Sequence, residues 1–231
     1  MKIGRTLFWF DDGNGQDQAL TREFEGIATL LNRLLNSKYS GKRIEFINIY
    51  YNVEEVYKRF PFSPKDMPDF RRNLFYYAVW DIEYFNSLTW EERQSYIWER
   101  SCQYIKKSAE LVKNQKLLDA IEYAYEEGLR RNLDTSYCRF EITIEYNGLQ
   151  LKVSLWIKYG QDDIYSTLTV ESDEDIYEME LLSWIDGYDL FSDMHRKLEF
   201  DGKNIIVKGY RDFDFFPIKI SLDEILSFDE E

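Results

Sequence analysis

The run "FWFDDGNGQD" at residues 8–17 sets Asp11 and Asp12 at the end of an aromatic stretch, just before two glycines. Adjacent carboxylates at the end of a buried strand are one way a fold holds a divalent cation, so Asp11 and Asp12 are the first candidates for chemistry. The stretch is not a calcium loop, because it lacks spaced ligands and the closing glutamate. Gly13-Asn14-Gly15 is not a dinucleotide fingerprint either, since the third glycine is missing at the required spacing.

His195 is the only histidine. Mechanisms that need a pair of histidines are excluded, and two distant cysteines, Cys102 and Cys138, cannot complete a zinc site with it. Asp189 and Asp193 are near enough in sequence to orient it as a general base. The competing expectation is that "SDMHRKL" is a helix end facing water, where His and Arg favour the negative end of the dipole. No nucleophile-elbow, P-loop or zincin pattern occurs, so no enzymatic activity and no cofactor are expected.

The other chemical signal is carboxylate density. Asp162, Asp163, Glu171, Asp173, Glu174, Asp175, Glu178 and Glu180 crowd one stretch, and Asp186, Asp189 and Asp193 follow. They are interleaved with Tyr165, Tyr177, Trp184 and Tyr188, residue types that anchor interfaces because they bury large area with few rotatable bonds. Asp173, Glu174, Asp175, Glu178, Trp184, Asp186, Tyr188, Asp189 and Asp193 are therefore the expected partner-binding set. The competing reading is a solvated face over buried aromatics.

Charge is divided unevenly along the chain. Residues 132–231 hold 23 Asp and Glu against 9 Lys and Arg, and so carry the whole net charge of -14, whereas residues 1–131 hold 20 of each. Such a C-terminal part repels phosphates, which argues against direct nucleic-acid binding and favours a basic partner. With 44% hydrophobic and 17% aromatic residues the chain has ample material for a core,. No apolar run approaches a membrane span or a signal-peptide core, and two lone cysteines fit a reducing compartment, so a cytoplasmic location is expected.

The elements that position these residues follow from local pattern. "RTLFWFDD" reads as a strand, and "QDQALTREFEGIATLLNRLLNSKYSG" as a helix with Leu20, Phe24, Ile27, Leu30, Leu31, Leu34 and Leu35 on one face,. "KRIEFINIYY" is a second strand, which makes residues 6–51 a β-α-β unit with parallel strands. "VEEVYKRF" adds a short helix before a proline-punctuated loop at 61–68. From Asp69 to Asn132 the chain reads as helical in three segments: "DFRRNLFYYAVWDIEYFNSL"; a second opened by a Thr89/Glu92 capping box; and "QKLLDAIEYAYEEGLRRN",.

After "NLDTS" the period changes from about 3.6 to 2. "YCRFEITIEY" and "LQLKVSLWIKY" flank Asn147-Gly148, a pair suited to a type I′ hairpin,. "IYSTLTVES" and "IYEMELLSW" add strands, "IDGYDLFSDMHRKL" has helical spacing after Gly187, and "LEFDGKNIIVKGY" forms a last hairpin turning at Asp201-Gly202,. The expected fold class is mixed α+β: residues 1–131 form a charge-balanced α/β and helical region, and residues 132–231 an acidic, antiparallel β-rich one.

The strand, paired acids, loop and helix of residues 5–60, with "NVEEVYKRF" where a second helix belongs, resemble the start of response-regulator receiver domains. That resemblance implies magnesium held by Asp11 and Asp12 beside a phosphoacceptor, a role for Asp81 in "YAVWDIE". The family's later threonine or serine and its lysine have no counterpart here, because residues 89–131 read as long helices. A metal-dependent hydrolase built on the same acids is a related alternative.

In size, acidity, aromatic content and absence of a catalytic signature, the chain resembles the immunity proteins of bacterial toxin systems. This resemblance is one of character. It implies a protein that binds a basic toxin domain, for instance a nuclease, and occludes its active site without chemistry of its own.

Overall fold

The computed structural model describes residues 2–59, 69–185 and 188–226, with backbone only at 69, 70, 188, 189 and 226. The fold class is α+β: helices accompany one mainly parallel sheet and two antiparallel ones. The chain divides between Thr135 and Ser136 into two compact units.

The first unit begins with β1 (Arg5–Asp11), α1 (Gln18–Glu23), α2 (Glu25–Lys38) and β2 (Phe46–Asn52). β1 and β2 pair in parallel, as the β-α-β pattern predicts. The single helix expected between them is divided at Phe24, which is fully buried against Phe10, Phe85 and Trp90. α1 starts where Asp17 accepts a hydrogen bond from the Leu20 amide at 3.0 Å,.

α3 (Glu54–Arg59), β3 (Asp69–Phe70), β4 (Asn73–Val79) and α4 (Ile82–Asn86) follow. Here the structure corrects the sequence reading, because the first half of the segment expected to be helical from Asp69 holds two strands, β3 and β4. Leu74, Tyr76, Ala78 and Trp80 alternate toward the core, and β4 pairs in parallel with β2, Leu74 opposite Ile47 and Tyr76 opposite Ile49. Aromatic residues suit this pleated surface, and the partner strand that selects it lies over twenty residues away. Helix resumes only after Asp81, whose carboxylate accepts from the Tyr84 amide.

α5 (Trp90–Leu111) carries the expected capping box, Thr89 with Glu92, and α6 (Gln115–Arg130) is capped by Asn114. Sheet order is β1-β2-β4-β3, with β3 antiparallel. Phe8, Phe10, Ile47, Ile49, Tyr51 and Leu74 share one sheet face with the apolar sides of α2, α5 and α6. In this core Tyr51 Oη lies 2.6 Å from Ser101 Oγ, so a polar pair is satisfied where water is excluded,.

The second unit opens with a four-stranded meander, β5 (Tyr137–Tyr146), β6 (Leu149–Tyr159), β7 (Ile164–Glu171) and β8 (Ile176–Trp184). The β5–β6 turn places Asn147 at φ 51° and Gly148 at φ 80°, the positive angles that the Asn-Gly pair predicts,. α7 (Tyr188–Met194) leads into β9 (His195–Phe200), β10 (Asn204–Gly209), β11 (Ile218–Ser221) and α8 (Leu222–Leu226). The expected final hairpin is thus β9–β10, and β11 extends it to a second sheet. Leu151, Val153, Leu155, Leu168 and Val170 from the first sheet share a core with Leu198, Ile205, Val207 and Ile220 from the second. The loop expected at 61–68 lies outside the described residues.

Candidate functional site

The acidic stretch of the second unit is ordered by the turn between β7 and β8. The Ser172 hydroxyl accepts from the Asp175 amide at 2.9 Å and from the Glu174 amide at 3.3 Å, and the Ser172 amide donates to the Asp175 carbonyl. Asp173, Glu174 and Asp175 therefore project from a hydrogen-bonded turn into solvent. None of the three forms an ion pair among the described residues.

Strand period then separates what the sequence interleaves. Glu178 and Glu180 point outward from β8, whereas Tyr177 and Met179 pack inward on the core. Glu178 is paired with Lys158 at 2.5 Å, and the neighbouring Glu171 with Lys152 at 2.8 Å, so part of the outer face is neutralised. β8 is an edge strand in the order β5-β6-β7-β8. Nine residues at about 3.3 Å rise place Trp184 roughly 26 Å from the acidic turn. The acids and the tryptophan thus occupy opposite ends of one strand, not one cluster.

At its own end, Trp184 meets residues that the sequence reading passed over. Its ring lies 6.3 Å from Phe213 and 6.4 Å from Phe215, and those two stack 5.3 Å apart. Phe213 and Trp184 rest on a small core of Ile157, Ile164, Phe191 and Met194, while Phe215 is 37% exposed. Asp212 and Asp214 flank these rings, both exposed and outside any ion pair among the described residues. The alternation of acid and aromatic in "RDFDFF" is the signal that marks this patch.

The remaining expected contacts are dispersed. Asp193, at the end of α7, pairs with Arg139 at 3.3 Å. Asp186 lies outside the described residues, and Tyr188 and Asp189 are placed by backbone only, at the start of α7.

His195 corrects the expectation of a water-facing helix end. It opens β9 with no exposed surface, its ring between Phe191 and Phe216. Nδ1 lies 2.9 Å from the Phe191 carbonyl and Nε2 3.2 Å from Ser166 Oγ. A carbonyl only accepts, so Nδ1 carries the proton and Nε2 accepts from the serine hydroxyl. Burial pushes the imidazole pKa below its usual 6.5, against the opposing pull of the Phe191 carbonyl,. Its partners are core groups and neither aspartate, so the residue is a neutral structural group.

Asp11, Asp12 and Asp81 do not converge. Asp11 Oδ1 accepts from the Gly13 amide at 2.9 Å, and Asp12 Oδ1 accepts from the Asn14 amide at 2.8 Å, which holds the Asp12 carboxyl below its ordinary value. Asp81 caps α4. β2 stands between β1 and β4, a lateral separation of about 9.6 Å at normal strand spacing,. Among the described residues no group of three or more His, Cys, Asp or Glu side chains is placed to hold a metal ion.

Comparison with protein-family models, curated proteins and solved structures returned no match. No described helix is long and apolar enough to cross a membrane.

Proposed function

We propose that this protein is an immunity-type inhibitor, which captures a basic toxin domain through its acidic C-terminal unit and blocks it sterically. The observation that carries this reading is the exposed triad Asp173, Glu174 and Asp175, in a turn whose Glu174 and Asp175 amides donate to the Ser172 hydroxyl, and left without a cationic partner among the described residues. Like charges at this density repel one another, a cost to the free protein that a basic partner relieves.

Charge speeds encounter, but residence time comes from desolvated anchors. Trp184, Phe213 and Phe215 supply aromatic area of the kind that dominates binding energy at interfaces, and Asp212 and Asp214 give it a polar, acidic rim,. Acidic turn and aromatic patch, at the two ends of β8, span a surface wide enough to cover a cleft on a folded partner. No step of chemistry is assigned to any residue.

The test is capture from the native host's lysate and secretome at low salt, followed by work on the purified captured protein. The native chain is expected to bind a single basic protein and inhibit its activity at equimolar ratio. Replacing Asp173, Glu174, Asp175 and Glu178 with Ser weakens binding mainly through the association rate, and Phe215→Ala weakens it mainly through dissociation. Equal capture by native and Ser-substituted chains, or capture without inhibition, refutes the proposal.

A further inference from the structure

β8 pairs on one side only, with β7, and ends the sheet order β5-β6-β7-β8. At the turn that begins it, the Ser172 amide donates to the Asp175 carbonyl at 2.9 Å, which fixes the alternation of the antiparallel ladder,. Counted from that pair, Tyr177 and Met179 exchange hydrogen bonds with Val170 and Leu168,. Ile176, Glu178 and Glu180 then turn their N–H and C=O groups away from β7, where no hydrogen-bond partner meets them among the described residues. All three are exposed, Ile176 to 72%. A row of unpaired backbone groups is a template for another strand. The opposite edge is less available, because β5 runs beside β9 and is bulged between Cys138 and Phe140.

The side chains along this edge specify what an added strand must carry. Residues that exchange hydrogen bonds across an antiparallel pair stand directly opposite, with their side chains on the same face. Partner residues bonded to Glu178 and Glu180 therefore set their side chains beside two carboxylates, at the end of the strand that the acidic turn opens. Glu180 has no ion pair among the described residues, and Glu178 has Lys158 alone. The intervening partner residues fall on the other face, beside Tyr177 and Met179. These two pack on the core of the unit but stay half-buried, whereas Leu168 and Val170 on β7 are buried. The core is thus open at this margin. A second copy of β8 would oppose glutamate to glutamate, and like charges directly opposite destabilise a strand pair.

We infer that the open edge of β8 takes an antiparallel strand from a basic partner, in which Lys or Arg alternates with apolar residues. The inference rests on the reading of this unit as the binder of a basic protein, and adds the backbone contact that holds it: main-chain hydrogen bonds give affinity and alternate side chains give specificity.

Fluorescence polarisation with the full chain at low salt tests it. The parent probe is a labelled heptapeptide of alternating Lys and Val, acetylated and amidated. Two isomers carry the same number of N-methyl groups, one on lysines and the other on valines, so they match in charge and composition. Backbone N-methylation removes the N–H donor and blocks that edge of the peptide. Saturable one-to-one binding of the parent is expected, retained by the N-methyl-valine isomer and at least tenfold weaker for the N-methyl-lysine isomer, because the lysines are the residues that bond β8. Glu180→Lys, at an exposed position, weakens the parent about fivefold without moving the thermal midpoint,. Equal affinities of the two isomers overturn strand addition and leave the inhibitor reading standing, since the acidic surface then attracts without backbone pairing. The reverse preference, absence of saturable binding, or an unaffected Glu180→Lys variant also overturns it. The predicted preference, found together with failure to capture any basic toxin, supports strand addition and refutes the inhibitor reading alone.

Discussion

Acidifying the protein through the range in which His195 titrates should destabilise the second unit by an amount set by one proton. In the folded state Nδ1–H is committed to the Phe191 carbonyl, and the ring is closed in by Phe191 and Phe216 with no exposed surface. A second proton at Nε2 would reverse the Ser166 hydrogen bond and place an unpaired charge in a dry core, near the Arg139 guanidinium,. The folded pKa therefore lies below the unfolded value of about 6.5,. The unfolded chain binds more protons in between, so stability is full above about pH 6.5 and falls as pH drops toward the folded pKa. Each pH unit within that window removes up to about 1.4 kcal/mol. With a urea slope of roughly 1.5–3 kcal/mol/M, the midpoint moves down by roughly 0.5–1 M per unit. The chain has a single histidine, and the carboxylates with lowered values, such as Glu127 at about 2, lose their contribution only at lower pH. Urea unfolding followed by circular dichroism in half-unit steps from about pH 7.5 to about pH 5.5 measures the effect. His195→Gln, which cannot charge, should flatten the dependence whatever its own stability cost. A native protein whose midpoint is constant over this range, or a Gln variant with the native slope, would refute the reasoning.

Two further perturbations probe the first unit. Tyr51→Phe strands the buried Ser101 hydroxyl and should cost about 1–3 kcal/mol, while adding Ser101→Ala recovers part of that loss; a double-mutant cycle with no coupling would contradict the Tyr51–Ser101 pair,. Gly128 lies in α6 where a Cβ would overlap the fully buried Trp98 indole. Gly128→Ala gains about 1 kcal/mol of helix propensity but should lower stability overall by about 1–2 kcal/mol through overpacking, and a raised thermal midpoint would show the contact to be loose.

What the sequence by itself determined were features written within a few residues of one another. The Thr89/Glu92 capping box, the Asn147-Gly148 hairpin, and the buried face of α2 from Ile27 to Leu35 each depend on neighbours one to four positions apart, so local spacing is enough to read them,. Residues 73–79 were decided by tertiary structure. Their aromatic run fits either a helix face or a strand, and pairing with β2 chose the strand,. His195 has a polar, helix-ending neighbourhood in sequence, but Ser166 and Phe216 enclose it from elsewhere in the unit. The expected acid-and-aromatic face was divided in the same way: a strand period of 2 turns Tyr177 inward and Glu178 outward, and Trp184 finds its partners in Phe213 and Phe215, about thirty residues on,. Trp9, Tyr50 and Tyr77 stack in a row only through the register of three parallel strands, β1, β2 and β4. Hydrogen bonding fixes that register between segments far apart in sequence, so the rings can be counted in the sequence but their stacking cannot be read from it,.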